Sequence, residues 1–337
     1  MLAYLVRRLA LSVPTLLGIT LVTFLISHAL PGDLVLANLG DHAAQNPQLV
    51  AAFRKKWSLD RPLPVQYVVY LARLVRGDLG TSITTEQPVS AELALSLPAT
   101  IELATTSMVL AALVGGLLGI IGAVRHRSLA DLAVRTIAGI GVALPIFWFA
   151  ILLLFVFYFW LGWAPPPGRL DASIAPPASI TGMYVVDSLL RGDSIAFRNA
   201  LAHLILPASV LAFAAIGYVT RITRSAVLDA LGQEFVRTAR AKGLSESRVV
   251  WRHVVRNALI PVITIASLIY AQLMAGTVLT ESIFSWPGLG RYAFSSAGNL
   301  DFPAIMGVAL VIGVIYVFLN LCADLLYVYV DPRIRYE

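Results

Sequence analysis

The sequence predicts an all-α polytopic membrane protein with six spans and both termini on the cytoplasmic side. Three observations carry this. Of 337 residues, 58% are hydrophobic and only 13% charged, against about 25% charged in an ordinary soluble domain. Mean hydropathy is +0.80. The apolar residues fall into runs near the roughly 20 residues that a helix needs to cross a hydrocarbon core about 30 Å thick. This composition excludes a disordered chain and a soluble nucleic-acid binder, and it argues against a soluble enzyme. The basic excess, 25 Lys+Arg against 19 Asp+Glu, is mild. In so apolar a chain it marks membrane orientation rather than a polyanionic ligand.

The first span is Leu9 to Leu30, with no charged residue. Arg7 and Arg8 before it and Ser27-His28-Ala29 at its end resemble signal-peptide flanks. The apolar run is too long for a signal-peptide core of about 7–15 residues, which predicts a retained helix. Residues 31–98 follow as a small extracytoplasmic subdomain, with helical apolar spacing over Leu49–Ser58 and Val65–Val75 and a break at residues 59–64. The second span is Ala99 to Val124, interrupted only by Glu102. The third lies within Thr136 to Trp163, where the central Pro145 predicts a kink near a translocation path. The Pro-rich stretch Trp163 to Ala200 reads as irregular. The fourth span is Leu201 to Thr220, the fifth Ala258 to Thr280, and the sixth Ala304 to Val330, with Asp324 as its one acid. Pro14, Pro207 and Pro261 sit near span ends and are expected in first helical turns. The chain thus divides into residues 1–30, the subdomain 31–98, and a core of five spans over 99–337.

Loop charge sets the orientation. Arg7 and Arg8 precede span one. Arg125, Arg127 and Arg135 flank the second-to-third connection, where Asp131 is the only acid. The fourth-to-fifth connection, Arg221 to Arg256, holds eight basic residues and three acids, a net +5. These regions share the cytoplasmic side, and the tail, with Arg333 and Arg335, agrees.

Several chemistries are missing. There is no phosphate-binding G-x-x-x-x-G-K-[ST], no H-E-x-x-H and no G-x-S-x-G. The five histidines are scattered at no ligand spacing, and the single cysteine, Cys322, reads as a packing residue. Ionisable residues inside spans carry a functional hypothesis by default. Glu102 also reads as an interfacial acid favoured by a nearby helix N-terminus. Asp324 reads either as a structural partner of a basic residue such as Arg7, Arg8 or Arg221, or as a transport-coupled acid.

The cytoplasmic loop, residues 223–256, is too polar to span and too regular to be a floppy connection. Val227, Leu228, Leu231, Phe235 and Val236 have helical spacing. Gly243 suits a left-handed turn after a helix end, and Ser245 suits the cap of a new helix carrying Val249, Val250 and Val254. Helix, glycine turn, helix is the reading. Such a hairpin can be a solvated loop, an anchor to anionic lipid, or a docking lever for a cytoplasmic partner.

This segment resembles the EAA-type loop of binding-protein-dependent ABC importer permeases. The likeness is to the peptide-class form, with Thr-Ala-Arg-Ala-Lys-Gly (238–243), Arg-His (252–253) and Arg-Asn-Ala-Leu-Ile-Pro (256–261). The family's common Glu-Ala-Ala triplet is replaced by Arg237-Thr238-Ala239, a departure shared by the peptide and nickel class. Nearly the whole chain resembles the B-type permease of dipeptide and oligopeptide systems. The matching motifs are Leu-Val-Arg-Arg-Leu (5–9), Pro31-Gly32-Asp33, Leu59-Asp60-Arg61-Pro62, Gly77-Asp78-Leu79-Gly80, Pro98 to Leu103, Thr280 to Arg291, Asp324 to Tyr327 and Asp331-Pro332-Arg333.

The resemblance implies a type I ABC importer permease-like fold in a bacterial inner membrane. It implies a non-catalytic half-pore that pairs with a homologous C-type permease, two ABC ATPase subunits and an extracytoplasmic solute-binding protein. ATP and Mg would be bound by the ATPases, with no cofactor, metal or nucleic acid on this chain. By the same resemblance, Glu234, Arg237, Thr238, Ala239, Arg240, Ala241, Lys242 and Gly243 form the helix that couples to an ATPase, with Arg240 and Lys242 facing acidic partner residues. Glu281, Phe284, Trp286 and Pro287 fall near the outer mouth, as a gate rim or an interface anchor. Di- and oligopeptides are the implied cargo. Nickel chelates, glutathione and oligosaccharides are alternatives within the same architecture. A self-sufficient secondary transporter would need coupling-ion sites, and an intramembrane enzyme a catalytic constellation.

Overall fold

The computed structural model of the chain describes residues 2–29, 46–56 and 60–330. Among these residues all regular structure is helical, apart from one isolated antiparallel bridge between Thr81 and Pro88. The helices are α1 (Leu2–Ala29), α2 (Pro47–Lys56), α3 (Leu63–Leu74), α4 (Val89–Val124), α5 (Leu129–Ala143) and α6 (Ile146–Leu153). The chain continues through α7 (Tyr184–Arg191), α8 (Ser194–Leu231), α9 (Glu234–Ala241), α10 (Glu246–Arg248) and α11 (Val255–Gly276). The last three are α12 (Val278–Ile283), α13 (Leu289–Gly298) and α14 (Phe302–Val330). π-helical turns extend α6 over Leu154–Trp160 and join α10 to α11 over Val249–Val254.

Five helices are long and apolar enough to cross a bilayer alone. The expected third span is not one straight helix. α5 and α6 meet at 101° across Leu144-Pro145, and only together do they have the length and composition of a span. The proline explains the break. It has no amide to donate, and it drives the preceding residue away from helical geometry. Leu144 is extended, at φ −76° and ψ 131°.

Helix starts differ from the expectation for a physical reason. Pro14, Pro207 and Pro261 lie inside helices rather than in first turns, and Pro98, placed just before the second span, is also inside a helix. The helices begin upstream of the apolar runs, in polar sequence that a hydropathy ruler does not count. α8 has 38 residues, about 57 Å at 1.5 Å per residue, well beyond a bilayer core. The Trp163–Ala200 stretch, expected to be irregular, contains α7 and the start of α8. The short Glu281–Pro303 connection likewise contains α13.

The chain forms two compact units, Met1–Pro98 with Pro287–Val317, and Ala99–Trp286 with Phe318–Glu337. In the first, Val89 and Leu93 pack with Leu289, Ala304 and Val308. Asp301, almost fully buried, accepts from the Ser82 hydroxyl at 2.5 Å and the Thr84 amide at 3.2 Å. α3 is tied to α1 by Tyr67 against Thr20 (3.1 Å) and by His28 Nε2 against Gln66 Oε1 (3.2 Å).

The second unit is organised around α8. Small residues let backbones close up, which suits a membrane, where apolar side chains gain little from leaving lipid. A Cβ on Gly119 would lie 2.6 Å from Thr223 Cβ, and one on Gly217 would lie 2.7 Å from the Ala138 carbonyl oxygen. A Cβ on Gly141 would lie just as close to the Phe213 carbonyl oxygen, at 2.8 Å. α5 and α8 therefore touch through a glycine on each side. Gly217→Val is expected to destabilise the second unit by about 1–3 kcal/mol or more. The drop in apparent Tm of the detergent-purified chain checks this, with Gly139→Val as the control because nothing lies within 4 Å of a Cβ there.

The side chain of Asp324 lies outside the described residues, as do Pro31-Gly32-Asp33, Leu59 and Asp331-Pro332-Arg333.

Candidate functional site

The segment expected to couple to a partner is a short helix held between two breaks. The spacing of Val227 to Val236 suggests one helix. Instead α8 ends at Leu231, Gly232 and Gln233 turn the chain, and α9 starts at Glu234. Gln233 is extended, with φ −79° and ψ 153°. At the far end, Gly243 has φ +74°. Its amide donates to the Arg240 carbonyl (2.9 Å) and the Leu244 amide to the Ala239 carbonyl (3.4 Å). This is the Schellman closure that favours glycine. Ser245 takes the N-cap position of α10 as expected, but its side chain caps nothing.

α9 has two faces. Val236 and Ala239 are buried against Val227, Ala230, Val249 and Val254. Glu234, Arg237, Thr238, Arg240, Ala241, Lys242 and Gly243 are exposed. Arg237 pairs with Glu234 at 2.8 Å on the surface. Arg240, expected to face acidic partner residues, is held within the chain. Its Nε and Nη2 reach the two carboxylate oxygens of Glu246 at 3.1 and 2.6 Å. That bidentate pair braces α9 against α10. Lys242 has no ion pair among the described residues. The helix is thus a short rod with one face exposed and the other seated on the end of α8 and on the turns that lead into α11.

Three of the residues expected near the outer mouth, Glu281, Phe284 and Trp286, are buried in the second unit. Trp286, expected as a rim or interface aromatic, is 1% exposed, and its indole N–H donates to the Ala99 carbonyl at 2.8 Å. Phe284 is buried beside Ala150 and Val210. Glu281 is fully buried, and its Oε1 accepts from the Thr100 and Thr277 hydroxyls at 2.7 Å each. Pro287 alone of the four is exposed.

Glu102 is not an interfacial acid in a first turn. α4 begins at Val89, and the Glu102 carboxylate is buried. Its Oε2 lies 2.5 Å from Arg169 Nη2, and its Oε1 accepts the Val185 amide at 2.7 Å. The Arg169 guanidinium lies 3.6 Å above the Tyr184 ring and 5.4 Å from that of Trp286. It also donates to the Gly182 carbonyl at 3.1 Å. The Pro-rich connection is therefore pinned down by one buried ion pair.

Next to that pair, Asp187 closes the loop in front of α7. Its oxygens accept from the amides of Ile180, Thr181 and Gly182 and from the Thr181 hydroxyl, at 2.7–3.1 Å. Burial pushes its carboxyl up, but the Thr181 hydroxyl and the three amides together hold it below the usual range. A depressed pKa contributes stability that is present above the unfolded value of about 4 and is lost as pH falls through the folded value. The wild-type chain is expected to lose Tm as pH falls below about 4. Asp187→Asn should start lower and show a flatter pH dependence, measured by thermal unfolding across that fall in pH.

Sequence reasoning missed Arg169, Tyr184, Thr100 and Thr277. A signal for Arg169 existed, because it is the first charge after the uncharged stretch ending at Gly168 and Glu102 is the one acid in span two. A further pair was also missed. Asp131 accepts from Arg224 Nε (2.6 Å) and Nη2 (2.9 Å), which joins α5 to α8. Among the described residues no group of three or more potential ligands could hold a metal ion.

Comparison with known proteins fits this arrangement. The profile of the binding-protein-dependent transport system inner membrane component matches residues 115–336, and the N-terminal profile of the same systems matches residues 1–104. A probable D,D-dipeptide transport system permease protein of Escherichia coli K12 is 45% identical, over 94% of this chain and 93% of that protein. A dipeptide transport system permease protein of Alkalihalophilus pseudofirmus is 42% identical over the full length of both. An oligopeptide transport system permease protein of Bacillus subtilis is 41% identical, also over the full length of both. The solved MetNI methionine ABC transporter, in inward-facing conformations, aligns at a TM-score of 0.49 and 15% identity, over 69% of this chain and 93% of that one. That last likeness is too slight to build on. With matches covering both halves of its sequence, the chain is a multi-pass membrane protein and belongs to the family of binding-protein-dependent transport system inner membrane components.

Proposed function

We propose that the chain is one permease subunit of an ATP-driven importer of di- and oligopeptides in a bacterial inner membrane. The observation that carries the reading is α9, a short helix isolated by Gly232 and Gly243, with one face packed on α8 and α11 and the other presented outward. The full-length relatives named for dipeptide, D,D-dipeptide and oligopeptide transport support the cargo.

The mechanism is mechanical. The chain carries no phosphate-binding loop, so ATP and Mg belong to two ABC ATPase subunits. Each ATPase holds a coupling helix, α9 on this chain and its counterpart on a homologous C-type permease. Closure of the ATPases on ATP moves α9. Because α9 is braced by the Arg240–Glu246 pair and by the Schellman closure, the displacement passes to α8 and α11 instead of dissipating in a loop. Both termini face the cytoplasm, which puts α9 on the side where ATP is. A solute-binding protein delivers peptide on the opposite side, where the Glu102–Arg169 pair ties α4 to the 169–185 connection and Glu281 ties α4 to α12. Glu281, Phe284 and Trp286 act there from beneath the surface, as supports of the outer gate.

The test is affinity purification of the tagged chain from its native membrane in mild detergent, followed by reconstitution in liposomes. A second permease and ATPase subunits should co-purify, and ATP-dependent peptide uptake should need the binding protein. A chain that purifies alone after cross-linking would sink the proposal.

A further inference from the structure

The break between α5 and α6 opens onto a cavity of about 220 Å³ in the second unit. The break itself forms one wall, through Gly141, Val142, Leu144 and Ile146, and α8 and α11 supply the rest. Three features of this trough belong together. First, a break in an apolar helix pair leaves amides at the start of α6 and carbonyls at the end of α5 without helical partners. Within a membrane, such backbone is tolerated where protein or a water-filled cavity satisfies it. Second, the trough holds no acid, lysine or arginine. Its walls are small or aliphatic, and its only polar side chains are Tyr218 of α8 and Gln272 of α11. Third, both of these side chains are exposed, and neither has a hydrogen-bond partner among the described residues.

An unpaired glutamine facing an apolar trough is poorly placed against lipid, where each unmet amide is costly. It is well placed against a solute. A primary amide both donates and accepts, and a phenol can do either. The chemistry complementary to one amide and one phenol on neutral walls is another amide. A peptide backbone presents one per residue, whatever its side chains.

We propose that this trough is a section of the substrate's path, in which Tyr218 and Gln272 bind the backbone amides of a passing peptide. The inference rests on the importer reading above and deepens it. Neutral walls with two amide-matching groups favour cargo by its backbone and leave selection among side chains to other sites. A break lining the path also gives the path a hinge, because α6 can swing about Pro145 without straining α5.

The experiment uses the whole transporter in proteoliposomes, with Cys322→Ser as background and Gln272→Cys added. A small, polar, membrane-impermeant thiol reagent should label the new cysteine. Saturating peptide and binding protein should slow the labelling, and labelling should block uptake while ATP hydrolysis continues. In parallel, Gln272→Ala should lower kcat/KM for uptake about threefold to tenfold, as expected for one lost hydrogen bond, with similar factors for peptides bearing acidic, basic or apolar side chains. Wild-type uptake combined with a Gln272→Cys that reacts only with a membrane-dissolved reagent, or not at all, would overturn the path and leave the importer reading standing. Absence of peptide uptake by the wild-type complex would overturn both.

Discussion

Gly243→Pro is expected to abolish peptide uptake while the chain still inserts and assembles. Proline fixes φ near −65°, and Gly243 has φ +74°. The substitution also removes the amide that donates to Arg240, and it disfavours the near-helical geometry of Lys242, at φ −77° and ψ 5°. A proline forced into such a position costs about 3 kcal/mol or more. Applied to the geometry that docks α9, that is about a hundredfold loss of coupled turnover. Nothing lies within 4 Å of where a Cβ on Gly243 would sit, so the packing of the spans, and with it expression and Tm, should hold. Gly243→Asn, which tolerates a left-handed conformation, should retain most of the activity. Uptake is read in proteoliposomes at matched protein. Normal uptake by Gly243→Pro would remove α9 from the mechanism.

The second large effect is structural. Arg169→Ala leaves the Glu102 carboxylate buried with a single backbone partner. Breaking one side of a buried ion pair typically costs about 3–5 kcal/mol, whereas replacing both sides with apolar groups is often close to neutral. Arg169→Ala should therefore lower the apparent Tm of the purified chain strongly. The double variant Glu102→Leu/Arg169→Met should recover much of the loss. A double variant as unstable as Arg169→Ala would show that the two residues do not act as a pair. The single change should also release the 169–185 connection, seen as faster proteolysis there.

Some of this was legible in the sequence and some was not, for identifiable reasons. Hydropathy located five long apolar helices and the bent α5–α6 pair because the bilayer sets a length, and the helical spacing of the 49–75 region anticipated α2 and α3. Gly243 was readable because a left-handed helix end favours glycine. The break at Gly232-Gln233 was not, since apolar spacing continues in phase through it from Leu231 to Phe235. Helix starts were missed because α4 and α8 begin in polar sequence, which moved Glu102 from an expected first turn to a buried mid-helix site. Trp286 looked like an interface aromatic because its neighbours in sequence are a proline and glycines. Its burial comes from Ala99, a contact between residues far apart in the chain. The Arg169 and Arg224 pairs are hidden in the same way, as partners from different helices carry no local pattern. Tyr218 and Gln272 stood out in neither hydropathy nor motif, and only the bend at Pro145 sets them in one trough.

The most direct test of the account is whether α9 touches an ATPase. Thr238 is exposed at the middle of that helix. In a Cys322→Ser background, Thr238→Cys in the assembled complex should form a short-range cross-link to an ATPase subunit, in a yield that changes when ATP replaces ADP. A co-purifying ATPase that never cross-links to Thr238→Cys, but does so from cysteines elsewhere on the cytoplasmic face, would contradict the assignment of α9 as the coupling element.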